Sequence, residues 1–539
     1  MRQKILALSI AGVLGSAGIA SADPIMMGYY ENWDYYATPS YSFDGATAGQ
    51  NLDLEGKLGA VNAIAYAFLE VGSTGSVYLS DPWSDLANVS ADIAFCSSNP
   101  SICSATGAVV PGSSMNGGNF DAFSKANVQT KLISIGGAGH EQSWLNAMAN
   151  PAVFVASIQA IMKQYPGING VDIDYEPQGG IPTEQAASFI SLVTQLRQGL
   201  PSGAIITMAY LINPDSIANF GRSNWQALAK EVNYFGLMGY DMHGEFDTPP
   251  ITDLQSALYD AGVSPTPYSD DLAVQAFNKM GLSDSQLILG FPSYGRAVGQ
   301  VSGAGLKAGF KASYQGDLDN PTCSTVLGSS NVCSGMMTYN SILATSGLIS
   351  TVVNVDGQAS GVYGNFGNNF VSYDDPQTLQ YKSAYVMNAS HPLAGMMVWA
   401  LRFDAPITSN NSLLAAADTG MGITPHPYVP PVIGTQLQLT NTGSAGSAGL
   451  VVSLSTSIGG PAYIFPAVAG GSNISWCSKA SASQSCQDSW NLDQLAGKTV
   501  VYVYVSPPGG TPVQCSGTLD LTKSYNQVMS YAGSNCQLN

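Results

Sequence analysis

Three carboxylates alternate along one short apolar stretch of the sequence. Asp172, Asp174 and Glu176 lie two residues apart in the segment Asn169–Glu176, with Val, Ile and Tyr beside them. Because alternate residues of a β-strand share a face, the acids should project together, with neighbouring Cα atoms about 6.5 Å apart. Burial and mutual repulsion should raise at least one carboxyl pKa. The pattern therefore predicts a protonated general acid, and Glu176 is the candidate.

Two other interpretations of this acidic segment are weaker. A solvated acidic face does not fit the hydrophobic residues that surround the acids. A hard cation such as Mg²⁺ or Ca²⁺ would use the same oxygen ligands, and we keep this as the less favoured alternative. Acid–base chemistry is therefore the preferred interpretation.

The elements that must position these acids are eight short apolar runs, separated by intervals that can hold helices. Such runs, bounded by Gly, Pro or Asn, are typical of buried parallel strands. They are Pro24–Tyr30, Val61–Leu69, Lys131–Ile135, Ile168–Tyr175, Ala204–Tyr210, Val232–Tyr240, Gln286–Pro292 and Leu393–Leu401. Helical spacing of apolar residues occurs in Pro151–Tyr165, Thr183–Gly199 and Asp271–Met280. The pattern predicts an α/β fold, a (β/α)8 TIM barrel, with Glu176 at its open end.

Two further regions lie outside the eight strand–helix units. The interval between strands 7 and 8 is too long for one crossover helix, and residues 298–373 predict an α+β insertion. After a barrel domain over 23–424, a proline-rich linker at 425–432 leads to residues 433–539, which are poor in charge. Alternating segments there predict a small β-sandwich-like accessory domain.

The N-terminus has the pattern of a secretory signal peptide. Arg2 and Lys4 precede an apolar run that ends in the small residues Ala20–Ala22, so residues 1–22 should be removed and the protein secreted. A membrane anchor is the weaker alternative, because glycines interrupt the run. For an exported protein, local disulfides are the simplest hypothesis, and metal thiolates are disfavoured because no C-x-x-C occurs. The expected pairs are Cys96–Cys103, Cys323–Cys333, Cys477–Cys486 and Cys515–Cys536.

The charge balance limits the possible partners. The 539 residues carry 36 acidic and 18 basic side chains, a formal net charge of −18. A phosphate backbone needs a basic surface, so we expect no nucleic-acid partner. Beyond the signal peptide no segment approaches the length of a membrane span. We expect a monomer that does not contact membranes.

The acidic segment and several other motifs resemble the chitinases of glycoside hydrolase family 18, of the bacterial type with an insertion. The family signature D-x-x-D-x-D-x-E on the fourth barrel strand is similar to Asn169–Glu176. Other matches are Tyr66-Ala67-Phe68, Ser134-Ile135-Gly136-Gly137, Met238-Gly239-Tyr240-Asp241, Gly290–Arg296, Gly395–Trp399, and Tyr373-Asp374-Asp375, which resembles the close of the insertion. The resemblance covers about residues 24–404.

The resemblance implies retaining, substrate-assisted hydrolysis of chitin or N-acetylglucosamine oligosaccharides, without a metal or organic cofactor. Glu176 would protonate the glycosidic oxygen while the sugar's own N-acetyl carbonyl attacks the anomeric carbon. Asp174 would orient the acetamido group, Asp172 would share a proton with Asp174, and Tyr240 would hydrogen-bond the acetamido oxygen. Trp399 would form the floor under the −1 sugar. Further matches to sugar subsites are Tyr29, Phe68, Met238, Asp241, Tyr294 and Arg296.

Two departures from the family pattern leave other functions open. Asn169 replaces the outermost acid, which could alter proton sharing below Asp172, and Ala138 stands where the family often has Trp. The alternatives are a lectin that binds chitin without cleaving it, and an endo-β-N-acetylglucosaminidase acting on N-glycans. The retained Glu176 favours an enzyme, and the insertion favours a chitinase. The accessory domain would bind carbohydrate through Trp476, Trp490, Tyr502 or Tyr504, although these could equally form its core.

Overall fold

The computed structural model describes residues 24–37, 41–43, 50–52, 55–85, 118–263, 267–302, 310–314 and 335–424, and beyond them the backbone of strands between Leu437 and Leu538. The chain divides into two compact units, whose boundary in the sequence lies between Tyr428 and Val429. The predicted signal peptide, the linker at 425–432 and all eight cysteine side chains lie outside this description, so these expectations stay predictions.

Eight parallel strands form a closed barrel in the first unit. They are β1 (Ile25–Glu31), β2 (Ala63–Val71), β3 (Thr130–Gly136), β4 (Gly170–Asp174), β5 (Ile205–Leu211), β6 (Tyr234–Met238), β7 (Leu287–Pro292) and β8 (Gly395–Trp399). Each strand pairs with the next, and β8 pairs with β1, so the sheet has no open edge within the barrel. The predicted TIM barrel is confirmed.

Helices occupy the connections between the barrel strands. The described helices are Pro82–Asp85, Asn119–Lys125, Glu141–Ala149, Pro151–Gln164, Ala186–Gly199, Pro214–Phe220, Arg222–Leu228, Asp270–Met280, Pro376–Val386 and Leu413–Met421, with 3-10 helices at Asn32–Tyr36, Lys57–Gly59, Thr183–Gln185, Asp284–Gln286 and Leu401–Phe403. Local sequence sets where several begin: Ser269, Asp375 and Ser412 each accept a hydrogen bond from a first-turn N–H.

A five-stranded antiparallel sheet is inserted between β7 and β8, as predicted. Its strands, in spatial order, are Met336–Thr338, Tyr294–Val298, Asn369–Tyr373, Gln358–Phe366 and Ile349–Val355, and it carries the helix Tyr339–Leu343. The sheet begins at Tyr294 rather than at the predicted Val298, because the chain enters it directly after β7 ends at Pro292. Tyr294 and Arg296 therefore belong to the insertion.

The described part of the second unit consists of β-strands. One sheet has the order Ser485–Asp488, Leu437–Asn441, Gln527–Ala532 and Asn535–Leu538, and another has the order Val451–Thr456, Lys498–Ser506 and Val513–Asp520. This agrees with the predicted small β domain.

Within the described ranges, no single helix is long and apolar enough to cross a membrane, although the bent pair Glu141–Ala149 and Pro151–Gln164 would be on length and composition alone.

Candidate active site

The three acids of the signature meet at the C-terminal end of β4. Asp172 and Asp174 are buried, with 0% and 3% of their surface exposed. Glu176 lies two residues beyond the end of β4 and is partly exposed. A side-chain hydrogen bond joins Asp174 to Glu176, and Tyr175 between them packs against Trp144 and away from the acids. The predicted alternation therefore holds, with Glu176 at the open end of the barrel.

Three hydroxyl groups hold Asp172 in place. Tyr29 Oη and Ser134 Oγ donate to Oδ2 at 3.0 and 2.7 Å, and Thr207 Oγ1 donates to Oδ1 at 2.5 Å. Burial raises the pKa of Asp172, while these hydrogen bonds oppose the rise because they favour the carboxylate. The hydrogen bond of Asp174 is made to Glu176, so the predicted sharing of a proton between Asp172 and Asp174 stays a prediction.

Burial and charge raise the pKa of both upper acids. The pKa of Asp174 lies well above its ordinary value, first because of burial and then because of the charges of Glu176 and Asp172. The pKa of Glu176 is raised to about 7, chiefly by burial and next by the Asp241 carboxylate. Asp174 therefore holds a proton more readily than a free carboxyl does, and it shares a hydrogen bond with Glu176. A carboxyl with such a pKa can protonate a leaving oxygen near neutral pH.

The S-x-G-G segment of β3 fixes the backbone at Asp174. Gly137 N–H and Trp144 Nε1–H donate to the Asp174 carbonyl oxygen at 2.9 and 3.2 Å. Gly136 has a φ of +113°, and a Cβ at this position would lie 2.2 Å from that same oxygen. Glycine is therefore required where β3 approaches the acidic strand.

Four aromatic side chains, Tyr29, Trp33, Phe68 and Trp399, form what we call the aromatic wall. The ring centroid of Trp399 lies 5.1 Å from Tyr29, 5.5 Å from Phe68 and 6.4 Å from Trp33. Phe68 and Trp399 are stacked, with 22° between their planes. Since Tyr29 also donates to Asp172, the wall lies directly beside the acids. The partly exposed, nearly parallel rings of Phe68 and Trp399 offer an apolar surface on which a pyranose ring can stack.

Two members of the aromatic wall, Trp33 and Phe68, differ in whether the sequence analysis named them. Trp33, 36% exposed, was not among the predicted site residues. Its position just after β1 was the available signal, because residues that follow barrel strands line the open end. Phe68 was named by the family resemblance, and it lies where the pairing of β2 with β3 is interrupted, between Tyr66 and Leu69, with its ring stacked on Trp399.

Side chains from the end of β6 and from the insertion form a second group, Asp241, Glu245, Tyr294 and Arg296, which we call the charged wall. Arg296 donates from Nε to Asp241 Oδ1 at 2.7 Å and from Nη1 to Glu245 Oε1 at 3.1 Å. The Arg296 guanidinium lies 5.7 Å from the centroid of the Tyr294 ring. Glu245 was missed in the sequence analysis, whereas the other three were predicted. The charge of Asp241 raises the pKa of Glu176, so this wall acts on the acid electrostatically.

Tyr240 and Met238 complete the predicted set. Tyr240 is partly buried, with its ring centroid 6.1 Å from that of Tyr294. Burial and the charges of Asp174 and Glu176 raise its pKa well above the ordinary value, so its hydroxyl keeps its proton and can donate. Met238 is 8% exposed and belongs to the barrel core against which Tyr240 and Trp399 pack.

The two departures from the family pattern have plain structural settings. Asn169 is exposed and precedes β4, at the end of the strand opposite to Glu176. Its Oδ1 accepts from Lys131 N–H at 2.8 Å, and its Nδ2 donates to the Gln129 carbonyl at 2.8 Å. An amide can do both, whereas a carboxylate can only accept. These contacts connect the start of β4 to the start of β3. They do not involve Asp172 or Asp174, so they do not affect proton sharing there. Ala138 is exposed and adds no aromatic surface.

In the part of the chain that the structure describes, no group of three His, Cys, Asp or Glu side chains is arranged to hold a metal ion.

Comparison with known proteins identifies the family. The model of the glycosyl hydrolases family 18 matches residues 25–404. Endochitinase 1 of Metarhizium robertsii is 25% identical over 417 residues, 73% of this chain and 84% of that protein. Chitinase B of Serratia marcescens is 26% identical over 347 residues, 56% of this chain and 67% of that protein. The fold is similar to that of catalytic domain 2 of the Ostrinia furnacalis Group II chitinase, with a TM-score of 0.58 at 20% identity over 75% of this chain and 98% of that one. The chain therefore belongs to family 18 of the glycosyl hydrolases and is a glycoside hydrolase whose relatives include chitinases.

Proposed function

We propose that the protein is a secreted chitinase that hydrolyses β-1,4 bonds between N-acetylglucosamine units of chitin and chitooligosaccharides. One observation carries the proposal: Glu176 is a partly exposed acid at the open end of the barrel, with a pKa raised to about 7. The stacked rings of Trp399 and Phe68 supply a platform for a sugar. The relatives named above are chitinases.

The proposed reaction is substrate-assisted. Glu176 gives its proton to the glycosidic oxygen as the C1–O bond breaks, and the N-acetyl carbonyl of the −1 sugar attacks C1 to form an oxazolinium ion. Asp172 is fully buried and held by three hydroxyls, and Asp174 is 3% exposed and bonded to Glu176. This burial and these contacts favour the substrate's own carbonyl over either carboxyl as the nucleophile.

Asp174 and Tyr240 position the attacking group. In the proposed complex the Asp174 carboxyl orients the acetamido N–H, and the protonated Tyr240 hydroxyl donates to the acetamido oxygen. Asp174 also stabilises the Glu176 carboxylate that proton transfer leaves behind, through the hydrogen bond they already share. Glu176 then takes a proton from water, which opens the oxazolinium ion with net retention.

Product stereochemistry tests the proposal. NMR of the mature protein, residues 23–539, mixed with N-acetylglucosamine oligomers should show shorter products appearing first as β-anomers. Glu176→Gln should keep binding and lose turnover by about 10²–10⁴-fold, since it removes the proton donor. First products in the α-form would contradict retention, and unchanged hydrolysis by Glu176→Gln would contradict the assigned acid. Binding without cleavage would indicate the lectin, and cleavage confined to N-glycan cores would indicate the endo-β-N-acetylglucosaminidase.

The remaining domain assignments extend the proposal. Export would remove residues 1–22, so the secreted protein should begin at Asp23 with eight cysteines in four local disulfides. Intact mass and peptide mapping under non-reducing conditions can check this. The accessory domain at 433–539 is proposed to bind chitin. A chain ending at Tyr428 should then bind insoluble chitin more weakly and hydrolyse soluble oligomers at the full-length rate. Equal binding by the two chains would contradict this role.

A further inference from the structure

Gln255 is a fully buried side chain that connects the barrel with the insertion. Its Oε1 accepts a hydrogen bond from the Asp241 N–H at 3.1 Å, and its Nε2 donates to the Tyr294 carbonyl at 2.9 Å. Asp241 follows β6, whereas Tyr294 begins the first strand of the insertion. One amide group therefore joins the two chain segments that carry the charged wall.

The backbone of Gln255 is itself held from both sides. Its N–H donates to Ser372 Oγ at 2.8 Å, on the insertion strand that pairs with the strand of Tyr294. Its carbonyl accepts from the Met242 N–H at 3.1 Å, beside Asp241. The backbone contacts thus fix the position of the Gln255 side-chain amide. Its two hydrogen bonds then set the spacing between Asp241 and Tyr294.

The neighbouring residue, Ser256, makes a similar connection to the residue directly after β6. Ser256 Oγ donates to the Gly239 carbonyl at 2.5 Å and accepts from Lys382 Nζ at 2.5 Å. Lys382 also donates to Asp374 Oδ2 at 2.9 Å, directly after the last insertion strand. Gln255 and Ser256 together attach both ends of the insertion to the segment that carries Tyr240 and Asp241.

The chemistry of these contacts requires an amide. Gln255 accepts with its oxygen and donates with its nitrogen at the same time, which neither a carboxylate nor an apolar side chain of the same length can do. Asp241 has a φ of +56°, a conformation that residues with a side chain seldom adopt. The Gln255 oxygen holds the N–H of this residue in that conformation.

We propose that Gln255 is a positioning residue of the reaction, which fixes Asp241 and Tyr294 relative to one another and through them the placement of Arg296 and Tyr240. The inference rests on the proposed function, because it concerns the same hydrolysis. Gln255 acts without touching the sugar. Its loss should change turnover and the titration of Glu176 more than it changes substrate binding.

A matched pair of variants tests this role. Gln286 is a partly buried glutamine at the other end of the barrel, and its Nε2 donates to the carbonyls of Ala229 and Val232 at 3.0 and 3.4 Å. Gln286→Met should lower the melting temperature and leave kcat and the pH profile unchanged. Gln255→Met should lower kcat on N-acetylglucosamine oligomers about 10-fold or more and change KM by less than about threefold, since misplacement by about 1 Å can cost 10²-fold. The alkaline limb of the pH–rate profile of Gln255→Met should move to lower pH, because the Asp241 charge is no longer held near Glu176.

A second variant separates hydrogen bonding from packing. Gln255→Glu keeps the oxygen that accepts from Asp241, and at low pH its protonated carboxyl can again donate to Tyr294. Its activity relative to wild type should therefore recover on acidification, whereas that of Gln255→Met should not. Gln255 variants that match Gln286→Met in kcat and pH profile would overturn the inference while leaving the function intact. A wild-type protein that cleaves no oligomer would instead refute the proposed function.

Discussion

The aromatic wall and the charged wall flank the same acids but rest on different forces. In the aromatic wall, Trp399 contacts its neighbours at centroid distances of 5.1 to 6.4 Å, and such packing tolerates small displacements. In the charged wall, Arg296 makes directional hydrogen bonds of 2.7 and 3.1 Å, and Asp241 acts on Glu176 through charge. The difference indicates that sugar stacking and proton transfer can be altered separately.

Asp174→Asn changes the acidic strand between the two walls, and its loss of kcat should be the largest. The variants in the two walls are compared with it. The amide cannot share a proton with Glu176 or balance positive charge on the acetamido group, so kcat should fall about 10²–10³-fold with little change in KM. Steady-state kinetics on N-acetylglucosamine oligomers checks this. A loss below about 10-fold would show that the walls, rather than the acidic strand, dominate the rate.

Trp399→Ala removes the centre of the aromatic wall. We expect kcat/KM to fall about 10–100-fold, because burial and stacking of a large ring contribute roughly 1.5–3 kcal/mol. The pH profile should stay unchanged, since no charge near Glu176 is removed. Trp399→Phe is the control and should recover part of the loss. A shifted pH profile in Trp399→Ala would contradict the conclusion that sugar stacking and proton transfer can be altered separately.

Asp241→Asn changes the charged wall and should mainly affect the pH dependence. Only protonated Glu176 is active as an acid, so the rate falls as pH rises through its pKa of about 7. Removing the Asp241 charge lowers that pKa and moves the alkaline limb of the pH–rate profile to lower pH. At pH values above the pKa, the rate should be roughly 10-fold below that of the wild type. Glu245→Gln removes the other carboxylate on Arg296 and serves as the control, with a smaller shift. An unmoved alkaline limb in Asp241→Asn would contradict the electrostatic role.

Trp33→Ala should have the smallest effect, at the outer end of the aromatic wall. We expect KM for long oligomers to rise about threefold and kcat to stay constant, because an exposed ring adds only a modest stacking contribution. Tyr381→Ala, which removes an exposed ring from the helix Pro376–Val386, is the control and should change neither constant. An equal effect on dimers and hexamers would place Trp33 next to the reaction centre instead.

Several parts of the site could be predicted because they follow from short-range rules. The period of two along a strand placed Asp172, Asp174 and Glu176 on one face, and Gly136 stands where a Cβ would meet the Asp174 carbonyl. Phe68 was named by the family resemblance rather than by this rule, and it lies at an interruption in strand pairing. The insertion was predicted over residues 298–373, so Tyr294 and Arg296, which begin its sheet, lay before its predicted start.

The sequence by itself determined the barrel, the acidic line on β4 and the aromatic and charged residues that end its strands, because periodicity and turn chemistry act between residues close in the chain. Tertiary structure alone decided which of these residues act on one another. Tyr29 reaches Asp172 across 143 positions, and Gln255 reaches Tyr294 across 39. Such contacts depend on how the strands of the closed barrel and the insertion approach one another in space. Hydrogen-bond geometry at about 3 Å is therefore set by the packed fold, not by local pattern.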